Sequence, residues 1–300
     1  MKTSLASTFD HLFNHNIKNH IKNIIIYDRN DQWSVDQCID EKDHEIWKEL
    51  YNNAYSLAFD NGIDMYKNGI TNFCNMVEDF SYNIPNLNNI SSIINSHTGW
   101  QIKVVAGFVD EIIFFRLLRD KFFPSSDIIR QSKRFYEKYK NTNVRNDLSY
   151  TPEPDIFHEI FGHAPFLFST TYCDLLQSIG ELGCEILEHT TLTEDLKIHN
   201  LKRLQNFVWW TLEFGLMKSN NKRGFDIYGA GILSSSNEIE NSIKSKNIID
   251  YDIQTVIMTR FDYSELQDRY FLIDSFDYLV KSFKENKNLF LYNGGKYKDI

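Results

Sequence analysis

The chain carries little that would staple it, anchor it or attach it to nucleic acid. Four cysteines occur in 300 residues, Cys38, Cys74, Cys173 and Cys184, and none forms a C-x-x-C pair. A chain this long does not need disulfides to hold a core, so reduced thiols in a cytoplasmic setting are expected. Basic residues are outnumbered, 32 against 41 acidic ones, for a formal net charge of −9. Nucleic-acid binding usually shows as a clustered basic face. The one locally basic stretch, 133–145, is interrupted by Glu137 and reads as solvated surface. The opening MKTSLASTFDHLFNHN lacks the uninterrupted apolar segment of a secretion signal. No window reaches the apolar length that a membrane span requires. No internal repeat or break in composition marks a linker.

What is abundant is aromatic. The chain has 23 Phe and 16 Tyr, and aromatics make up 15% of residues within a 42% hydrophobic total. Large flat side chains suit a packed core and an apolar pocket. Helical periodicity dominates. Between Asp43 and Phe59, Trp47, Leu50, Tyr51, Ala54 and Ala58 share one stripe. Asp110 precedes an apolar run through Ile113, Phe114, Leu117 and Leu118; Thr170 to Leu187 follows a Ser169 cap. The longest helix is predicted from about Glu194 to Met217, and Asp274-Ser275 caps a last one. Strands are expected at Ile102 to Val105, Phe225 to Tyr228 and Tyr270 to Ile273. The fold class is therefore mainly α with small β elements. The first thirty or so residues read as a short amphipathic helix or a loose extension.

The chemistry is concentrated in YTPEPDIFHEIFGHAP, residues 150–165. Pro154-Asp155 opens a helix with proline in the first turn and an acid near its positive end. His158, Glu159 and His163 follow as H-E-x-x-x-H, one residue longer than the zinc-protease spacing. At i and i+4 two imidazoles lie about 40° apart on an α-helix; at i and i+5 they diverge by about 140°. Both can hold one metal only if the helix gives way between them. Gly162 is placed to allow that, and Pro165 blocks simple continuation. Downstream, VWWTLEFGLMKS contains a lone acid, Glu213, whose burial among apolar neighbours would be costly without a partner. Two imidazoles and one carboxylate with positions left open form the facial triad of non-haem Fe(II) oxygenases. On spacing alone, a satisfied pair of histidines with Glu213 paired to an arginine stands level with a metal centre. The other seven histidines show no partner pattern and read as surface residues.

An ordered set of segments resembles the pterin-dependent aromatic amino acid hydroxylases, in particular the bacterial phenylalanine hydroxylases. They are TGWQIKVVAGFVDEIIFFRLL (98–118), FPSSDIIR (123–130), TPEPDIFHEIFGHAPF (151–166), WWTLEFGL (209–216), IYGAGILSSSNEI (227–239) and LQDRYFLIDSF (266–276). The resemblance implies the catalytic-domain fold of that family and a monooxygenase that hydroxylates the ring of an aromatic amino acid. Phenylalanine is the favoured substrate, tyrosine or tryptophan the alternative. It implies Fe(II), a tetrahydropterin such as tetrahydrobiopterin, and O2. His158, His163 and Glu213 match the iron ligands, and Glu159 the acid near the pterin. Phe114 matches the aromatic that stacks on the pterin, with Gly107, Phe108 and Val109 shaping its loop. Arg130 matches the residue that pairs with the substrate carboxylate, with Thr151, Asp155 and Ser234 as its neighbours. Trp209 and Pro154 match pocket walls, and Tyr228 to Gly231 the tight backbone passage beside the iron. Glu159, Trp209 and Ser234 are the expected catalytic set. The chain is expected to be one catalytic domain over 1–300, a cytoplasmic monomer without a regulatory domain.

Three departures accompany the match. The 131–150 segment is longer than in typical members and contains Arg145, a competing carboxylate anchor. Val208 stands where relatives usually carry Tyr. Tyr263 stands where they carry a smaller or aliphatic residue facing the pocket. Two other readings remain at this stage: a zinc hydrolase using His158 and His163 with Glu159 as base, and a catalytically silent binding paralogue.

Overall fold

The computed structural model describes residues 39–105, 111–139, 154–263 and 265–294. Gly107, Phe108, Val109, Arg145, Thr151 and the N-terminal thirty residues lie outside the described residues.

Three helices form the first layer: α1 (Glu41–Asn61), α2 (Asp64–Met76) and α3 (Leu87–Thr98). The Asp40 carboxylate caps α1 by accepting from the Lys42 and Asp43 amides, and Asp43 accepts from the Asp40 amide in return, completing a capping box. Strands β1 (Gln101–Val105) and β2 (Phe122–Ser126) pair in parallel, joined through α4 (Glu111–Arg119). Helix α5 (Lys133–Tyr139) follows. A π-helix (His158–His163) runs directly into a 3-10 turn (Ala164–Phe168) with Pro165 inside it. Helix α6 (Thr170–Glu188) starts at Ser169, whose hydroxyl accepts from the Tyr172 amide, as the sequence predicts.

Helix α7 (Glu194–Val208) is shorter than its periodicity suggests. At Trp209 the winding changes to a second π segment (Trp209–Glu213), and Gly215–Lys218 is strand β3. The apolar run continues through all three, so the 3.6-residue pattern does not register the change. Strand β4 (Phe225–Ile227) pairs antiparallel with β3. Then come α8 (Ala230–Leu233), α9 (Ser236–Lys244), β5 (Ile248–Asp250), α10 (Ile253–Met258), β6 (Tyr270–Ile273) and α11 (Phe276–Glu285). The second sheet has the order β4-β3-β6-β5, with β6 parallel to both β3 and β5.

The core is strongly aromatic. Trp47 packs edge-on against Phe80 and Phe157, and its indole N–H donates to the Phe80 carbonyl at 2.8 Å. Phe157 stacks on Phe161 at 4.7 Å. The π-helix that begins at His158 is thus clamped against α1 by its own phenylalanines. Helix α4 lies tight on α6: a Cβ added at Gly183 would fall 2.2 Å from the Phe115 ring. That contact fixes the helix that carries Phe114. His44 is half-buried and accepts from the Ile84 amide at 3.0 Å, a structural role that replaces the exposed one expected from sequence.

Candidate metal centre

The two π segments supply the centre. A π winding closes i→i+5 hydrogen bonds, so residues five apart come round to the same side of the helix. In the first segment the Ala164 amide donates to the Glu159 carbonyl. The ring nitrogens of His158 and His163 come within 3.1 Å (Nε2 to Nε2). The 140° divergence of an α-helix is therefore removed by widening the turn, not by breaking it at glycine. Gly162 has a different purpose: a Cβ there would lie 2.8 Å from the Ala230 carbonyl oxygen and 3.2 Å from the Ser234 Cβ. It lets α8 approach the histidines. In the second segment the Phe214 amide donates to the Trp209 carbonyl at 2.9 Å. Glu213 Oε1 lies 3.0 Å from His163 Nε2, and Oε2 lies 3.5 Å from His158 Nε2. Ligand atoms of His158, Glu159 and His163 also fall within 4.8 Å of one another.

Each imidazole is oriented from behind. His158 Nδ1 is 2.9 Å from the Ser234 hydroxyl, and His163 Nδ1 is 3.4 Å from the Tyr172 hydroxyl. The Phe123 ring packs beside His163 at 5.2 Å. With each Nδ1 donating to its hydroxyl, both Nε2 lone pairs face one shared volume, which a cation satisfies and two bare imidazoles do not. Tyr172 and Phe123 were not anticipated. Tyr172 carries the only hydroxyl on a stripe otherwise made of Leu175, Leu176 and Ile179, which is the signal that could have singled it out.

Asp155 supports the same segment. Its carboxylate accepts from the Arg130 amide (2.8 Å), Arg130 Nε (2.8 Å), Arg130 Nη2 (2.9 Å) and the His158 amide (3.0 Å). Arg130 and Asp155 are both buried, at 3% exposure. Burial raises the Asp155 carboxyl, but the Arg130 guanidinium and these hydrogen bonds hold it below the ordinary carboxylate value.

Burial and mutual charge act in opposite directions on His158 and Glu213. Burial pushes His158 down to about 4 against the opposing pull of Glu213, so the ring is unprotonated at neutral pH. Burial raises Glu213, yet the two imidazoles outweigh it and keep the carboxylate ionised. Glu159 is pushed well above its ordinary value by burial, then by Glu213 and Asp155. That direction favours the protonated form, which can donate in a hydrogen bond. Side-chain exposure rises from 6% at His163 to 12% at His158 and 19% at Glu213, so the centre opens on the carboxylate side.

The remaining expected residues are distributed around this opening. Gly229 and Gly231 press on the backbone of Glu213: an added Cβ would meet the Glu213 carbonyl oxygen at 2.2 Å and 3.0 Å respectively. Trp209 stacks on Phe261 (4.1 Å) and leans on Phe214 (4.6 Å). Val208 and Phe114 are partly buried against the core, Phe114 edge-on to Phe115 at 5.4 Å. Pro154 is exposed and Tyr263 half-buried.

Two imidazoles and one carboxylate, carried on two π segments of a mainly helical domain, fit a metal centre of the open, mixed-ligand type. Residues 10–290 match the family described as biopterin-dependent aromatic amino acid hydroxylase. The chain belongs to that family. It is 31% identical over 248 residues to a phenylalanine-4-hydroxylase of Caulobacter vibrioides, covering 81% of this chain and 75% of the relative. It is 30% identical over 264 residues to that of Chromobacterium violaceum, covering 86% and 79%. Among solved structures, Chromobacterium violaceum phenylalanine hydroxylase with bound iron(III) and 7,8-dihydrobiopterin is similar at a TM-score of 0.69 and 29% identity, covering 85% of this chain and 84% of that one. The apo cold-active enzyme of Colwellia psychrerythraea is similar at 0.69 and 26%, covering 84% and 87%.

Proposed function

We propose that the chain is a pterin-dependent monooxygenase that converts L-phenylalanine to L-tyrosine with O2. The observation that carries this is the convergence of His158, His163 and Glu213 on one buried volume within the family's fold. These three residues would hold Fe(II), their donor chemistry fitting a borderline cation that needs both nitrogen and anionic oxygen. Bound iron and tetrahydropterin together supply the activation of dioxygen; the chain supplies positioning and exclusion of water. Ser234 and Tyr172 hold the two imidazoles in their ligating orientation. Asp155 aims the Arg130 guanidinium, which would pair with the substrate carboxylate alongside Thr151, a task suited to a planar fork of donors. Trp209, Phe214 and Phe261 make a stacked aromatic wall for the substrate ring. Glu159 would hydrogen-bond toward the pterin, and Phe114 would stack on it, with 107–109 completing the loop.

The wall sets the substrate preference. A bulky indole at 209 leaves room for one ring and penalises a second. The expected order of kcat/KM with Fe(II) and tetrahydropterin is Phe first, with Tyr and Trp lower. A larger value for Trp would contradict the wall. A larger value for Tyr would point to Tyr263, since a buried hydroxyl that gains or loses a partner shifts selectivity by orders of magnitude. Phe114→Ala is expected to raise the apparent KM for tetrahydropterin more than that for the amino acid. An equal rise in both, with lowered stability, would make Phe114 a core residue only.

We also place the chain in the cytoplasm as a monomer, in phenylalanine breakdown. Cys74, Cys173 and Cys184 are free thiols, and no described helix is long and apolar enough to cross a membrane. Light scattering at the monomer mass is the expected result, and a stable tetramer would refute it.

A further inference from the structure

Gln267 precedes β6 and is 6% exposed, yet both ends of its side-chain amide are engaged. Its Oε1 accepts from the Trp209 indole N–H at 3.0 Å. Its Nε2 donates to the carbonyls of Asp262 at 2.9 Å and Glu265 at 3.1 Å. An indole N–H can only donate and a peptide carbonyl can only accept, so the amide has one orientation that satisfies all three partners. The backbone of the same residue is equally fixed. Its N–H donates to Glu238 Oε1 at 3.2 Å, and its carbonyl accepts from Asn241 Nδ2 at 2.8 Å. Glu238 also accepts from the Tyr270 hydroxyl, to which Asn241 donates at 2.6 Å. Gln267 is thus mounted on a buried polar platform built by α9 and β6, and it reaches from there to the aromatic wall.

The Trp209 ring itself meets the segment that follows Phe261 by stacking, beside the Trp210 indole N–H that donates to the Thr259 carbonyl at 2.8 Å. Phe261, on which Trp209 lies at 4.1 Å and 11°, is the residue before Asp262. Stacked rings slide in their common plane at little cost, because their contact has no directional bond. The hydrogen bond from Gln267 supplies that direction. The carbonyls of Asp262 and Glu265 bracket Tyr263, so the same amide also sets where Tyr263 stands.

We propose that Gln267 is a positioning residue for substrate selection: it locks the in-plane orientation of Trp209 and the backbone at Asp262 and Glu265 as one unit, and so fixes the width of the ring-binding pocket. This rests on the reading of Trp209 as a pocket wall. The hydrogen bonds of Gln267 go to Trp209, Glu238, Asn241, Asp262 and Glu265, on the amino-acid side of the centre and not to His158, His163, Glu213 or α4.

The test pairs Gln267→Met, which keeps the length and removes every polar contact, with Trp209→Phe and the double variant. Gln267→Met is expected to raise the KM for phenylalanine about tenfold and to lower the Phe-to-Trp ratio of kcat/KM by a similar factor. Iron content and the KM for tetrahydropterin should stay unchanged. In the Trp209→Phe background Gln267→Met should add little, because the indole N–H that Gln267 holds is already absent. Asn206→Leu serves as the structural control. It deletes another buried amide bond, to the Ile257 carbonyl at 2.9 Å, and should lower stability without moving the ratio. A readout independent of turnover is the Trp209 indole N–H resonance, identified by its loss in Trp209→Phe, which should shift and exchange faster in Gln267→Met. If Gln267→Met loses stability alone, with KM, ratio and resonance unmoved, the proposal is wrong while the functional reading stands. If the wild-type chain turns over no aromatic amino acid, the functional reading falls and takes the proposal with it.

Discussion

His158→Ala, His163→Ala and Glu213→Gln are each expected to lower hydroxylation by at least about a thousandfold, a barrier change of about 4 kcal/mol. Each removes one of three donors that stand 3.0 to 3.5 Å apart around one volume. Glu213→Gln is the most diagnostic, because it keeps the shape and removes only the charge. The amide can no longer balance a divalent cation, and its N–H2 can turn toward an imidazole lone pair instead. Iron content should fall in parallel with turnover in all three. Circular dichroism should remain that of the wild type, because the first π segment is held by Phe157, Phe161 and the Asp155 carboxylate and the second by the indole N–H groups of Trp209 and Trp210, and not by a metal alone. Full turnover by any of the three would remove that residue from the ligand set.

Arg130→Ala is expected to destabilise the protein by about 3–5 kcal/mol, the usual cost of stranding one partner of a buried ion pair. Asp155 has no exposed edge on which to recover solvation, and three of its four hydrogen bonds come from Arg130, two of them from the guanidinium. Arg130→Ala combined with Asp155→Ala should cost less than the sum of the two, because the stranded charge is gone. The pH dependence has a defined sign. Asp155 titrates below its ordinary value in the folded state, so its stabilisation is complete above the unfolded carboxylate value. It is lost as pH falls through the lower, folded value. The Arg130→Ala protein should lack this acid-side loss. Urea midpoints measured from pH 7 downward in both proteins check it, and a parallel decline in the two would contradict the assignment. Activity should vanish in the variant even where it remains folded, since the proposed carboxylate anchor is absent.

Much of the helical frame is legible in the sequence because it is written in local chemistry. Ser169 and Ser275 accept from the amides three residues on, at Tyr172 and Tyr278, where capping rules place them. Strand β6 begins and ends where its apolar run does. The π segments are not legible, since a change from 3.6-residue winding to i→i+5 bonding leaves the pattern of apolar residues intact over one turn. His158 and His163 carried the only hint, a spacing that an α-helix cannot reconcile with one metal. The resolution at Gly162 was misread from sequence: its neighbours are the Ala230 carbonyl and Ser234, which lie 68 or more residues away in the chain. The Arg130–Asp155 pair became visible through the resemblance, because nothing local links residues 25 apart. Tyr172 and Gln267 were missed for the same reason. Their partners, His163 and Trp209, are set by tertiary packing.

The central claim is that this donor set makes the chain an iron-dependent phenylalanine hydroxylase. The most direct test is the product formed by purified protein reconstituted with Fe(II) and given tetrahydropterin, O2 and L-phenylalanine. About one iron per chain, and tyrosine formed only when iron, pterin and O2 are all present, is the result expected from the ligand set. Tyrosine formation that survives complete removal of iron, or an iron-loaded protein that forms none, would contradict it.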